Sequence, residues 1–434
     1  MEFSKYKFKD ICLDKGFIRG PFGSALKKSL FVPKGIDTYK VYEQCVPLEQ
    51  NKSGGNYYIS GEYFRNSLRR FEVKHNDFLV SCSGVNYGAI YHLQEPFEKG
   101  IINQALLIIR INEKIVDYNY FKYLFKVLLS KVITSGTGDS TIPNFPSIDV
   151  IKDIDVFLPP LPMQCVVGKL LNDIDVKITS NNTTNDTLQQ MVKTIYDYWF
   201  TQFDFPDENG KPYRSYGGQM MWNEQLKREI PAGWTVASIV DNPISSVIKP
   251  GVEHFTYKEY LATAEVSGTA ISNGTIIDYD SRESRANMQP SINSVWFAKM
   301  KNSVKHLFLN KEMQPLIDRV ILSTGFCGIQ CNEIAFEYIS SFISSDYFEI
   351  IKDTLAHGAT QEAVNNEDML SIRLLVPDDT TLRKYHKTTK AIFSQVSKNI
   401  CENRQLIQLR DWLLPMLMNG QATLPTKPLN YRLP

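Results

Sequence analysis

The string Asp241-Asn242-Pro243-Ile244 comes nearest to a group of residues able to act on a substrate. Methyl transfer to adenine needs N/D-P-P-Y/F/W, in which the aromatic stacks on the flipped base and the polar residue bonds its edge. Here the second proline and the aromatic are missing and no glycine-rich cofactor loop accompanies the string, so it reads as a turn. Cys327 and Cys331 lie close, but a zinc ion would need further ligands, and no CxxC pair or histidine cluster supplies them. The metal expectation is none. Glu72-Val73-Lys74 could end a nuclease metal site, yet no Pro-Asp precedes it at a workable distance, and a strand-edge charge pattern explains it better. No G-x-x-x-x-G-K-[ST] loop occurs, which excludes an NTP-driven motor, and the six histidines form no HExxH pair. The chain is read as non-catalytic.

Residues suited to recognition are plentiful. Lys15, Arg19, Lys27 and Lys28 flank a glycine loop in KGFIRGPFGSALKK, and Arg65, Arg69, Arg70 and Lys74 form a run. Later come Arg282 and Arg285 in SRESRANMQ, then Lys299, Lys301 and Lys305. If such clusters line one groove, arginines can take guanine edges while lysines and backbone amides take phosphates; otherwise they are a solvated face. The stretches holding Thr137 and Thr141, and Gly358 and Thr360, are also candidates for DNA contact, because small polar residues let backbone approach a phosphate. The balance of 48 basic against 47 acidic residues gives a net charge of +1. That is no basic excess, so DNA contact must be patchy or shared with partner subunits.

What positions these residues is a chain that repeats itself. The 434 residues, 43% hydrophobic and 22% charged, suit two or three ordinary domains. IDVFLP at 154–159 and IRLLVP at 372–377 are strand-like segments ending at proline, and each leads into a long helical pattern. Small polar loops precede both, GTGD at 136–139 and GATQ at 358–361. Tyr6–Ile11 and Trp234–Ile239 read as opening strands. Ile101–Ile111 reads as one buried strand and Tyr118–Ile133 as a helix behind it; Val295–Met300 and Glu337–Leu355 are their parallels. The class is α+β with strands in excess.

The helices carry a sustained four-three stripe. It runs through Val167, Leu171, Ile174, Ile178, Asn181, Asn185, Leu188, Val192, Ile195 and Trp199, and again through Tyr385, Thr389, Ile392, Val396, Asn399, Asn403, Leu406, Arg410, Leu413 and Leu417. Such a stripe over about 38 residues, roughly 57 Å, signals a coiled coil. Two central asparagines recur at matching places. In an antiparallel pair they would meet, and buried amides satisfied only by one another would fix register at some cost in stability.

Residues 201–233 are rich in Gly, Pro, Asp and Asn with interspersed aromatics, and read as an ordered connector; the tail at 421–434 is expected to be poorly ordered. Seven scattered cysteines fit reduced thiols in a cytoplasm. No apolar run is long enough to span a bilayer, and the N-terminus has no signal core, so no membrane association is expected.

Together these features resemble the specificity (S) subunits of type I restriction–modification systems. GPFGSALKKSLFVPKGI is similar to the start of one class of target recognition domain in that family. DVFLPPLPMQCVVGKLLNDIDVKI resembles its first helical spacer. The connector and RDWLLPMLMNGQ are similar to its junction and its end. The second copy has no GPFGS, and its spacer opens with PDDTTLRK instead of PPLPMQ. The resemblance implies two mixed α/β target recognition domains, residues 1–158 and 234–377, joined by two long antiparallel helices, 159–200 and 378–420, forming a coiled coil with a pseudo-two-fold internal repeat. It implies recognition of double-stranded DNA at a bipartite asymmetric target. Expected partners are two methyltransferase (M) subunits, which carry S-adenosylmethionine, and restriction (R) subunits that cleave; no cofactor is expected on this chain. A scaffold or decoy that binds M subunits without reading DNA, and a DNA-modifying enzyme with spatially assembled residues, are the other readings.

Overall fold

The computed structural model describes residues 3–84, 86–135, 145–358 and 361–422. The chain divides into two compact units, Met1–Asp175 with Leu409–Pro434, and Val176–Gln408.

In unit 1 the strands are β1 (Ser4–Lys7), β2 (Cys12–Arg19), β3 (Thr38–Tyr42), β4 (Tyr58–Ser60), β5 (Phe78–Ser81), β6 (Ile90–His92), β7 (Gly100–Ile102) and β8 (Leu106–Ile111). They are followed by α1 (Tyr118–Ser135), β9 (Asp155–Leu158) and α2 (Leu161–Tyr196), a helix that continues into unit 2. Three sheets form, in the orders β2-β8-β5-β6, β4-β3-β7 and β1-β9. β8 (LLIIRI) is apolar almost throughout because it is covered on both faces. One core sits between the four-stranded sheet and α1, around Phe8, Phe78, Ile109, Phe121 and Phe125.

Unit 2 begins with the rest of α2, which a π-helical turn, Asp197–Thr201, extends. The connector follows. It folds into a hairpin of β10 (Met220–Asn223) and β11 (Arg228–Pro231), while Phe203, Phe205 and Trp234 are buried against one another. Next come β12 (Thr235–Ser238), β13 (Asp241–Asn242), β14 (Ser245–Val247), β15 (Lys258–Leu261), β16 (Thr275–Ile277), β17 (Ala286–Met288), β18 (Ser294–Ala298), β19 (His306–Leu309), β20 (Val320–Ser323) and β21 (Phe326–Cys331). α3 (Phe336–Ile343), α4 (Asp346–Leu355), β22 (Arg373–Val376) and α5 (Asp379–Met418) complete it, and α5 ends in unit 1. The sheets run β19-β18-β21-β14-β13-β12-β22 and β16-β15-β20-β17.

The repeat is therefore topological. β2-β8-β5-β6 corresponds to β14-β21-β18-β19, and the parallel pair β3–β7 to the parallel pair β15–β20. In each head the opening strand pairs antiparallel with the strand that leads into a long helix, Tyr6 opposite Val156 and Val236 opposite Leu375.

Three expectations need correction. Tyr6–Ile11 is not one strand: β1 stops at Lys7, and Phe8–Ile11 is a 3-10 turn held by the Lys7 amide on the Asp10 carboxylate at 3.0 Å. Ile101–Ile111 is two strands in two sheets, because Asn103 Oδ1 accepts the Ala105 amide at 3.0 Å and bends the chain between them. Glu337–Leu355 is two helices: Ser345 leaves the helical conformation and caps α4, accepting the Phe348 amide on its hydroxyl.

The long helices start by different means. At α2, Gln164 is buried, donates to the carbonyls of Ile115 (3.1 Å) and Pro159 (2.8 Å), and accepts the Asp117 amide (3.1 Å). Gly168 lets α2 approach α1, since a Cβ there would lie 2.5 Å from the Tyr120 nitrogen. At α5, Asp378 accepts the Thr381 amide at 2.9 Å and the Trp234 indole N–H at 3.0 Å. This carboxylate cap takes the place that a proline turn and a glutamine hold at α2.

Candidate nucleic-acid interface

In each head a tight turn between two strands meets cations and amides from neighbouring strands. In unit 1 it is the β7–β8 turn, Asn103-Gln104-Ala105. The Asn103 amide donates to the Tyr42 carbonyl (3.0 Å) and the Cys82 amide to the Ala105 carbonyl (2.8 Å). Gly20 presses on the turn from β2. Its amide donates to Leu106 at 3.0 Å, and a Cβ would come within 1.8 Å of the Asn103 carbonyl oxygen, so only glycine fits. Arg19, half-buried at the end of β2, reaches the Cys82 thiol; burial pushes that thiol up to about 12, and the guanidinium opposes the shift. Gln44 donates its amide to the Ser81 hydroxyl at 2.6 Å and to the Ser83 carbonyl.

The equivalent turn in unit 2 is Thr324-Gly325, between β20 and β21. The Lys299 amide donates to the Gly325 carbonyl at 3.0 Å, in the place of the Cys82–Ala105 bond. The Thr324 amide donates to the Arg285 carbonyl at 2.8 Å, and a Cβ on Gly325 would lie 3.5 Å from an Arg285 guanidinium nitrogen. Lys305 donates to the Thr263 carbonyl at 2.5 Å. Burial pushes the Cys327 thiol up to about 12 against the pull of Lys299. Cation, amide and small-residue turn are the groups that bond base edges and phosphates.

The basic residues singled out from the sequence differ in their surroundings. Arg19, Arg285 and Lys299 lie at these turns. Lys27 and Lys28 are exposed beside Leu26, which packs with Phe64 and Leu68; the exposed Arg69 and Arg70 follow directly on Leu68. Arg65 is already engaged, with two nitrogens on Asp37 at 3.0 and 2.9 Å. Lys15, at φ 58°, sits in the bulge between Cys12 and Phe17, toward the end of β2 away from Arg19, and Lys74 lies at the matching end of β5. The sequence groups Lys15 with Arg19 at the glycine loop, but about 13 Å of strand separates the two. Arg282 stacks on Tyr279, 3.9 Å from the ring centroid, and Lys301 pairs with Glu362 at 2.8 Å. Gly358 is exposed with φ 142°. Thr137, Thr141 and Thr360, the GTGD loop and the tail beyond 422 lie outside the described residues.

Gln44, Asn103, Thr263 and Thr324, which also belong to these turns, do not stand out in the sequence. The signal was present in the repeat, where II-NQA-LLIIRI aligns with IL-STG-FCGIQC and exposes a turn inside what looked like one strand. Asn242 accepts the amides of Ile244 (3.1 Å) and Ser245 (2.8 Å), so the methyltransferase-like string is an Asx turn. Cys327 and Cys331 stand four residues apart on one strand, about 13 Å, too far to share an ion. Among the described residues no group of three or more His, Cys, Asp or Glu could hold a metal. A cavity of about 770 Å³ in unit 2, lined by Tyr196, Tyr338, Phe342, Lys193 and Asp346, includes none of the turn residues.

The striped faces of the helices point inward, with Val167, Leu171, Val192, Tyr385 and Val396 buried. Asn181, Asn185, Asn399 and Asn403 are buried among them in unit 2. Asn181 donates to Asn403 Oδ1 and Asn399 to Asn185 Oδ1, both at 2.8 Å. The amides are not satisfied only by one another: Asn181 also donates to Glu402 (2.8 Å), Asn403 donates to Asn182 (2.8 Å), and Asn399 accepts from Gln395 (2.7 Å). Residues on the helix flanks lie close enough to reach inward.

A family model described as "Type I restriction modification DNA specificity domain" matches residues 36–190, from just before β3 into α2. The MjaIX specificity subunit of a type I restriction enzyme from Methanocaldococcus jannaschii is 22% identical over 82% of this chain and 79% of its own. The HindI specificity subunit from Haemophilus influenzae is 20% identical over 80% of this chain and 87% of its own. The type I restriction–modification S subunit from M. genitalium shares the fold, with a TM-score of 0.52 at 14% identity over 96% of both chains. The chain is similar to type I restriction enzyme specificity subunits. The matched stretch holds the Gln44 and Asn103 side chains and the Gln164 anchor, whereas Arg19 and Gly20 precede it. No helix among the described residues is long and apolar enough to cross a membrane.

Proposed function

We propose that this chain reads a bipartite, asymmetric DNA target for a type I restriction–modification complex, one short block per head, with the paired helices setting the gap between blocks. The observation that carries this reading is that the heads share a sheet order while their equivalent turns differ. Asn103-Gln104-Ala105 is attended by Arg19 and Gln44; Thr324-Gly325 is attended by Arg285 and Lys299. A shared scaffold with different donors suits two different half-sites.

The near-neutral charge fits a subunit whose partners supply part of the phosphate contact. On this reading those partners are two methyltransferase subunits, which carry S-adenosylmethionine and methylate adenine, and restriction subunits, which cleave. The chain then works in the cytoplasm and contributes recognition and spacing, not chemistry. The different starts of α2 and α5, a buried Gln164 against an Asp378 cap, argue that the two methyltransferase docking sites are not identical. Methylome sequencing of cells carrying this chain with its methyltransferase partner tests the proposal. Two blocks at fixed separation, each with a methylated adenine on opposite strands, are expected. One continuous motif would overturn the reading, and reconstituted complexes lacking sequence-selective binding would point to a scaffold or decoy.

A further inference from the structure

We infer that Phe22 reads the methyl group of a thymine in the half-site of the first head, an inference that rests on the DNA-reading function proposed above. Phe22 is 88% exposed, a large apolar side chain left in water on a connection that is otherwise tied down. On one side, Gly20 is locked to the Asn103 turn through its bond to Leu106, and Pro21 is buried. On the other, the Phe22 carbonyl accepts the Ala25 amide at 2.9 Å, the Ala25 carbonyl accepts the Tyr63 hydroxyl at 3.0 Å, and Leu26 is buried. The phenyl group is thus presented from a braced backbone, three residues after Arg19, which ends β2. Lys27 and Lys28 follow it, both exposed and, among the described residues, in no ion pair.

Cations on that flank suit a polyanion. A phenyl ring can neither donate to nor accept from a base edge, so it cannot read the polar pattern of the major groove. The one apolar group that the bases display there is the C5-methyl of thymine. The connection between β14 and β15 in the second head, 248–257, has no GPFGS, so the contact belongs to one half-site only.

The test uses the full chain reconstituted with its methyltransferase partner, on a duplex bearing the mapped target. Each thymine is replaced in turn by deoxyuridine, which removes only the methyl group. For the unaltered chain, one position in one half-site is expected to weaken binding about fourfold, the worth of one buried methyl. Phe22→Ala should weaken specific binding about tenfold and erase the uridine effect at that position, because the two changes remove the same contact. Phe22→Leu should retain most of the affinity, and binding to a scrambled duplex should not change. If no thymine shows the effect, or if it persists in Phe22→Ala, the inference fails while the function stands. If the unaltered complex cannot tell target from scrambled DNA, the function itself fails.

Discussion

Asn181 Nδ2 lies 2.8 Å from Asn403 Oδ1, a buried amide pair joining α2 to α5 within unit 2. Neutral hydrogen bonds of this kind add little net stability, but leaving one partner alone is expensive. Asn403→Leu is therefore expected to cost about 1–3 kcal/mol, since Asn181 keeps only Glu402 and Asn182 loses its donor. Replacing Asn181, Asn185, Asn399 and Asn403 together by leucine should instead raise the melting temperature and loosen register. Spin labels at the exposed Thr184 and Lys398 report this as a broadened distance distribution. A stabilised variant with an unbroadened distribution would show that the asparagines do not set register.

Asp175 couples both long helices to α1 in unit 1. It accepts from the Tyr123 hydroxyl (2.6 Å), Lys122 (3.0 Å) and Arg410 (2.9 Å). Burial by itself would raise its pKa, but these three donors outweigh it and hold the carboxyl at about 2, against 3.8 unperturbed. A folded-state value below the unfolded one means stability that is present above about pH 4 and lost as the pH falls toward 2. Allowing for solvent screening, the contribution is on the order of 1–2 kcal/mol. Asp175→Asn should lower the melting temperature at pH 7 and flatten the acid limb of the stability curve. Parallel acid limbs in the two proteins would refute the assignment.

Gly168→Ala sets helix propensity against packing. In a free helix the change gains about 1 kcal/mol. Here the new Cβ would lie 2.5 Å from the Tyr120 nitrogen and 2.7 Å from Asp117 Oδ1, backbone and cap that cannot give way cheaply. Overpacking costs about 1–3 kcal/mol, so the packing term should win and the melting temperature of unit 1 should fall. An unchanged or higher midpoint would mean that α2 can move off α1.

The helices were legible in the sequence because one physical rule, an apolar face every three or four residues, acts along their whole length. The matched pairs IDVFLP and IRLLVP were legible for a related reason: both are short strands that must be covered and must stop at proline. The turns at Asn103 and Thr324 were not. Asn103 and Thr324 interrupt runs of apolar residues that a strand covered on both faces would also show, so periodicity cannot find the break. Nor could charge sort Arg19 from Lys15, because their distance along β2 and the bulge at Lys15 are set by pairing with β8. The basic run around Arg65 likewise could not show its pairing with Asp37, 28 residues away in the chain.

If each head reads its own block, Arg19→Ala and Arg285→Ala should have separable effects. Arg19 belongs to the turn at Asn103 and Arg285 to the turn at Thr324. A side chain that bonds a base edge is worth about 1–3 kcal/mol of discrimination, so each variant should relax specificity at one or two positions of a single block. The effects should add in the double variant, because no residue is shared between the two sites. Lys27→Ala should differ in kind. As a phosphate contact it should weaken binding to all sequences alike and lower the salt slope by about 1. Methylome sequencing reads the two arginine effects and binding titrations across salt read the lysine effect. The assignment of one turn to one half-site is sunk if Arg19→Ala relaxes both blocks, because a residue confined to one reading turn has no means of touching the other.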